Sequence, residues 1–203
     1  MTDVCNEDFM TRATPDDVRR LVAEGADMKK RDKDGFTALH WAASFNEDPE
    51  VVAVLVAAGA EIEARDNIER TPLYLAARQN KNPDVARKLL SLGADVDGEA
   101  RSGRTPLHAA AASNNNAEMV KVFIEAGADI EAREARFGGT AVQGAAWHSG
   151  DPTVVMTLID AGADVHTRTK MGQNTLDLIQ TREASDFEKH AGYKKLVDVL
   201  NKK

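Results

Sequence analysis

Apolar residues fall along this chain in short bursts at helical spacing, separated by Gly, Pro, Asn and Asp. Between Asp34 and Asp66, Leu39, Ala42 and Ala43 give the i, i+3, i+4 pattern of one buried helix face. Thr37 is placed to cap that helix, since its hydroxyl can accept from an unpaired first-turn amide. Asn46-Glu47 breaks the helix, and Asp48-Pro49 starts another, with Asp as cap and Pro at a position whose N–H is not needed. Val51, Val52, Val54 and Leu55 form the apolar face of this second helix. Gly59 ends it, because glycine tolerates the left-handed cap conformation. Residues 60–66 are too few and too polar for a third helix and suit a projecting finger.

The pattern repeats. Gly-Ala-Asp/Glu occurs at Gly25, Gly59, Gly93, Gly127 and Gly162, in steps of 34, 34, 34 and 35 residues. A second marker begins at Thr37, Thr71, Thr105 and Thr140, with a decayed copy at Thr175, in steps of 34, 34, 35 and 35. Two markers moving together define a repeat array. The one added residue, between Glu131 and Thr140, belongs in the finger, because within a helix it would turn the buried face by about 100°. Units 35–68, 69–102, 103–137 and 138–172 are full repeats. Residues 1–34 and 173–203 are modified end units, as a stack with polar outer faces requires. In the first, a helix is expected from about Thr2 to Arg12, then one bearing Val18, Leu21 and Val22. In the last, helices are expected at 176–182 and 193–200, joined by a longer polar segment at 183–192.

Composition fits such a stack. Of 203 residues, 32 are Ala, against 14 Leu and 10 aromatics, which suits helices that approach closely at every joint. The net charge of −7 has the wrong sign for a general nucleic-acid binder. No run approaches the ~18–20 apolar residues of a membrane span. Residues 1–10 lack the apolar core of a secretion signal, and the single Cys5 asks for no oxidising compartment, so a cytoplasmic location is expected.

Thr105-Pro106-Leu107-His108-Ala109-Ala110, with the recurring Gly-Ala-Asp and short finger, resembles the ankyrin repeat. The resemblance covers essentially the whole chain. Departures are the 34-residue period, Tyr74 and Gln143 at the His position, and Glu69 where a Gly usually precedes the Thr. The resemblance implies an all-α solenoid of helix-turn-helix units with short β-hairpin fingers at right angles. It implies partner proteins bound on the concave side, and no catalysis. In the family the marker His bridges neighbouring backbones, the role it implies for His40 and His108. Some ankyrin repeats carry a hydroxylated Asn two residues after Gly-Ala-Asp; here those positions are Lys29, Glu63, Asp97, Glu131 and His166, so that modification is not expected.

The chain offers no Cys cluster, no His-Glu-x-x-His and no phosphate-binding glycine loop, so neither a metal nor a cofactor is expected. Cys5 has no foreseeable base beside it. Mapping the family's variable surface onto the sequence gives candidate partner-binding residues Phe36, Trp41, Phe45, Ile68, Arg70, Arg78, Arg101, Arg104, Arg136, Phe137, Trp147 and His148. Aromatic and Arg side chains are favoured interface anchors. For Trp41, packing against a neighbouring repeat is an equal alternative. Eight cations (Lys33, Arg70, Arg78, Arg101, Arg104, Arg136, Arg168, Lys170) against Asp34, Glu69 and Glu99 leave 8 − 3 = +5 on this face. That strip suits a protein with an acidic surface. The expected function is a monomeric, non-catalytic inhibitor or adaptor. The alternatives are a self-associating scaffold and a secreted bacterial effector that binds a host protein.

Overall fold

The computed structural model describes residues 4–149, 151–181 and 193–202. The helices follow one another in twos joined by short turns: α1 (Glu7–Arg12) and α2 (Pro15–Ala23), α3 (Ala38–Phe45) and α4 (Pro49–Ala57), and α5 (Pro72–Gln79) and α6 (Pro83–Ser91). Next come α7 (Pro106–Ala109), which runs into a π-helical turn at Ala110–Asn114, with α8 (Ala117–Glu125), then α9 (Ala141–His148) with α10 (Pro152–Asp160). The last described helices are α11 (Thr175–Thr181), against α9, and α12 (Tyr193–Lys202), against α10. First helices pack on first helices and second on second, α3 lying against α1 and α5, and α4 against α2 and α6. The core therefore runs the length of the stack instead of gathering at one centre.

The local chemistry follows the sequence closely. Thr14, Thr37, Thr71 and Thr105 accept first-turn amides, and Pro stands at the head of α2, α4, α5, α6, α7 and α10. Each second helix from α2 to α10 ends in the same left-handed glycine, φ +80° to +100°. The following Ala N–H then reaches back to the last turn, as Ala60 does to Leu55 at 3.0 Å. Val51, Val52 and Leu55 are buried, as are Val18 and Leu21, but Val22 is 39% exposed. α1 begins at Glu7, later than expected, because the Asn6 side chain accepts from Phe9 N and fixes the cap there. The polar segment at 183–192 lies outside the described residues.

The fingers are tight turns, and no β-strand occurs among the described residues. Each turn closes on one or two backbone bonds, for example Asp66 N to Arg70 O at 3.1 Å. The fourth finger spans one residue more, Glu134 N bonding Gly139 O, so the extra residue does sit there. Neighbouring fingers are linked in a row: Asn67 N to Asp34 O, Arg101 N to Ile68 O, Ala135 N to Ser102 O and Lys170 N to Phe137 O.

A second row runs behind the helices. Asn46, at the end of α3, is buried and donates to Met10 O and Ala13 O, both at 2.8 Å. Asn80 makes the same pair of bonds to Ala43 O and Asn46 O, and Asn114 to Ala77 O and Asn80 O. Asn46 is thus a bridge to the preceding unit as well as a helix breaker.

Candidate functional site

The sequence-selected residues divide into two groups and a remainder. The first group lies on the fingers and first helices near the N-terminal end. Phe36 is only 9% exposed, not open as its place near a finger tip suggested. Its ring meets Trp41 at 4.5 Å between centroids, and Trp41 stacks on Phe45 at 6.2 Å. Trp41 Nε1 donates to Asp32 Oδ2 at 3.1 Å, so the half-buried Trp41 is tied to its own finger. The Arg70 guanidinium sits over the Phe36 ring, 5.4 Å from its centroid. Arg70 is also paired with Asp66 at 2.6 Å, and the two side chains are 16% and 1% exposed. This end is an internally satisfied aromatic and ionic cluster.

The second group lines a concave groove of about 450 Å³ over α7, α9 and the last two fingers. Its walls carry Phe137 (43% exposed), Trp147 (45%) and Met171 (70%). Three of the six large apolar side chains that stand exposed among the described residues thus face one hollow. The hollow exists because of two registers along the first helices. Four residues after the marker Thr the side chain shrinks from Trp41 through Leu75 and Ala109 to Gly144. Seven residues after it stand Ser44, Arg78, Ala112 and Trp147. Gly144 and Ala112 therefore leave a low floor beside a tall Trp147 wall.

The polar groups of the groove are few. Arg104 is half-buried and lines it, as do His108, Glu134 and Gln143. Burial pushes the Glu134 carboxyl up, but bonds from the backbone N–H groups of Arg136, Phe137 and Gly139, with the Arg104 charge, hold it below its usual range. Those bonds make Glu134 the organiser of the fourth finger. His108 Nε2 meets Gly139 O at 3.1 Å, and burial pushes its pKa down, so it is neutral at pH 7. Gln143 stands where His40 and His108 stand in other repeats, and its amide donates to Thr167 O and Gln173 O. Its Oε1 takes the Thr140 N–H, and the buried Thr140 hydroxyl is left without a partner. His148 is exposed and meets Trp147 edge-on at 6.5 Å, and Arg136 lies over Phe137 at 4.8 Å.

Ile68, Arg78 and Arg101 are exposed between the two groups and belong to neither. Arg101 pairs with Glu69 at 3.4 Å and donates to Asn67 O. Of the eight cations counted on this face, Arg70, Arg101 and Arg168 are in ion pairs, and Lys170 is bonded to Ala135 O. Lys33, Arg78, Arg104 and Arg136 form no ion pair within 4 Å among the described residues. Asp32, Asp66 and Glu134, which the sequence count passed over, are the carboxylates that hold the fingers closed.

Met171, on the last finger, is not among the sequence-selected residues. The residue before the left-handed finger position reads Asp34, Ile68, Ser102, Phe137, Met171, so the register alone would have found it. Glu63, Asp97 and Glu131, two residues past Gly-Ala-Asp/Glu, accept the N–H of Asp95, Asp129 and Asp164 one repeat on. That position is a structural bridge here. No group of three or more His, Cys, Asp or Glu among the described residues has the geometry to hold a metal ion, and no helix there is long and apolar enough to cross a membrane.

Paired helices in a stack, left-handed glycine ends and finger-lined concavity define a repeat solenoid built to present one long face. A family model of ankyrin repeats, three copies long, matches residues 10–100 and again 80–169, and the chain belongs to the ankyrin-repeat family. Among curated proteins none matches it.

Proposed function

We propose that the chain is a non-catalytic module that binds one partner protein on its concave face, as an inhibitor or adaptor. Ankyrin repeats are generally protein-interaction modules. The observation that carries the reading is the cluster of exposed Phe137, Trp147 and Met171 around a groove whose flanking Arg104 and Arg136 lack an ion pair. Apolar side chains held open on rigid helices and fingers cost stability in water unless something covers them. A standard interface buries about 1,600 Å² in total, an area that three or four adjacent repeats supply. Residues 1–34 and 173–203 act as the end units of one domain, and the protein works as a monomer in the cytoplasm. The aromatic cluster at Phe36, Trp41 and Phe45, with Arg70, supports the concave face, and Ile68, Arg78 and Arg101 form its polar rim.

The test is capture from a native lysate with the full chain, wild type beside a Trp147→Ala, Arg104→Glu double variant. A partner held by wild type and lost by a variant with an unchanged circular-dichroism spectrum supports the assignment. A folded variant that keeps every partner overturns it.

A further inference from the structure

The concave groove rests on a feature peculiar to one end of the stack, and its chemistry is narrower than that of the whole face. Its floor is Gly144 and Ala112, its walls Phe137, Trp147 and Met171, and its one half-buried cation is Arg104. The volume, about 450 Å³, exceeds what one side chain fills and falls in the range of roughly 300–1,000 Å³ typical of ligand sites. The groove's own acid, Glu134, feels the Arg104 charge but commits its oxygens to three backbone N–H groups and forms no ion pair with Arg104 within 4 Å, so the Arg104 guanidinium keeps N–H donors for an incoming carboxylate. Arg136, outside the groove wall, carries a second positive charge over Phe137. An acidic group arriving here meets two cations that form no ion pair among the described residues, on a chain of net charge −7. Complementarity of this kind selects a partner and steers it into register.

Resting on the reading of the concave face as a protein-binding surface, we propose that this groove is a dedicated peptide site. It takes a segment of the partner protein that carries a bulky apolar side chain beside a carboxylate. The apolar side chain lies over Gly144 between Trp147, Phe137 and Met171, and the carboxylate reaches Arg104. Nucleic acid does not fit, since the floor is apolar and the cations are too few to follow a phosphate backbone. Gly144 sets the specificity. A Cβ built there would approach the Ala112 Cβ at 3.6 Å, an ordinary contact, so Gly144 is needed by neither sterics nor a left-handed backbone.

The experiment is selection of a random dodecapeptide library on the immobilised full chain. Selected peptides are then titrated by fluorescence anisotropy against wild type, Gly144→Leu, Trp147→Ser and Arg104→Glu, each checked for folding by circular dichroism. The expected result is a set of sequences with Phe, Trp, Leu or Met next to Asp or Glu. Each should bind at least tenfold more weakly to Gly144→Leu, and also to Arg104→Glu. Should Gly144→Leu not fold, Trp147→Ser gives the same readout from the groove wall. No enriched sequence, or sequences that bind the groove variants as tightly as wild type, overturns the proposal. Peptides lost on Gly144→Leu but indifferent to Arg104→Glu overturn its acidic half. A wild-type dimer in sedimentation that Gly144→Leu converts to monomer overturns it in favour of a second copy. If lysate partners survive Gly144→Leu but are lost with Arg78→Glu, the concave-face reading stands and the groove proposal alone falls.

Discussion

The Asn80 side chain is bonded to the main chain of Asn46, one repeat earlier, with Nδ2 2.9 Å from the carbonyl oxygen. The same nitrogen holds Ala43 O at 2.9 Å, and Asn80 Oδ1 accepts from Asn82 N. Asn80 is 1% exposed, so these bonds replace water for groups that would otherwise be orphaned between two helices. Through Asn114 the row extends one unit further, to Asn80 O itself. The turns between paired helices are therefore tied together by a buried amide ladder that stitches consecutive repeats.

Asn80→Ala should be more damaging than the loss of a helix cap. It leaves two buried carbonyls and one N–H without partners, at about 1–3 kcal/mol for an unsatisfied group and about 2–4 kcal/mol in all. Asn82→Ala, which removes the cap of α6 and a bond to Glu47 O, should cost about 1 kcal/mol. Urea unfolding of the two variants beside wild type measures the difference, and equal losses would show that the ladder adds nothing beyond a cap.

The ladder shows where sequence reading stops. Helix ends, proline starts and left-handed glycines were legible because each is a local device with its own residue type. Asn46 also reads locally, as a breaker, and its bonds to Met10 O and Ala13 O join residues 33 and 36 apart. The groove was half legible. Trp147, Phe137 and Arg104 announced themselves by type, while Gly144 and Ala112 act by what they lack. Phe36 and Arg70 looked like exposed anchors for the opposite reason: their mutual stacking depends on adjacent fingers being brought together, and the Asp66 pair on the closing of Arg70's own finger.

Glu69 occupies the finger position with φ +67°, where Gly35, Gly103, Gly138 and Gly172 stand in the other fingers. A left-handed residue with a Cβ carries strain of about 1–2 kcal/mol. Its ion pair with Arg101 is between two exposed side chains and is worth about 0–1 kcal/mol. Glu69→Gly should therefore raise stability, by about 0.5–1 kcal/mol once the added freedom of the unfolded chain is included. Thermal unfolding of the variant checks this, and a lower midpoint would show that the Arg101 pair outweighs the strain.

Arg104 and Arg136 should act on the rate of association as well as on the final contact, and salt should act chiefly on the rate. Raising NaCl from about 50 to 500 mM shortens the screening length severalfold. Association of the captured partner, followed by stopped-flow fluorescence of Trp147, should slow severalfold over that range, with dissociation little changed. Arg104→Glu should flatten or invert the dependence. An on-rate indifferent to salt in the wild type would remove electrostatic steering from the account.

His40 makes the stack sensitive to acid. Its Nδ1 accepts from Thr37 N at 3.1 Å, which places the proton on Nε2, facing Arg70 O at 3.2 Å. Burial, opposed by the bond to Arg70 O and the charge of Asp66, pushes its pKa down to about 4. A second proton would go to Nδ1, against the Thr37 N–H. The unfolded chain titrates near 6.5, so the folded state binds fewer protons between these values. The contribution of His40 is thus fully present above pH 6.5 and is lost as pH falls toward 4. At pH 5 the loss should be about 2 kcal/mol relative to pH 7.5. His40→Gln copies the residue that the chain itself uses at position 143, where the amide bonds Thr140 N and Thr167 O without titrating. Urea unfolding at both pH values should show a fall for wild type that is smaller by that amount in His40→Gln. His108, also pushed down by burial, should leave a residual slope in the variant. Identical slopes in the two proteins would mean that the neutral imidazole of His40 does not govern the acid response.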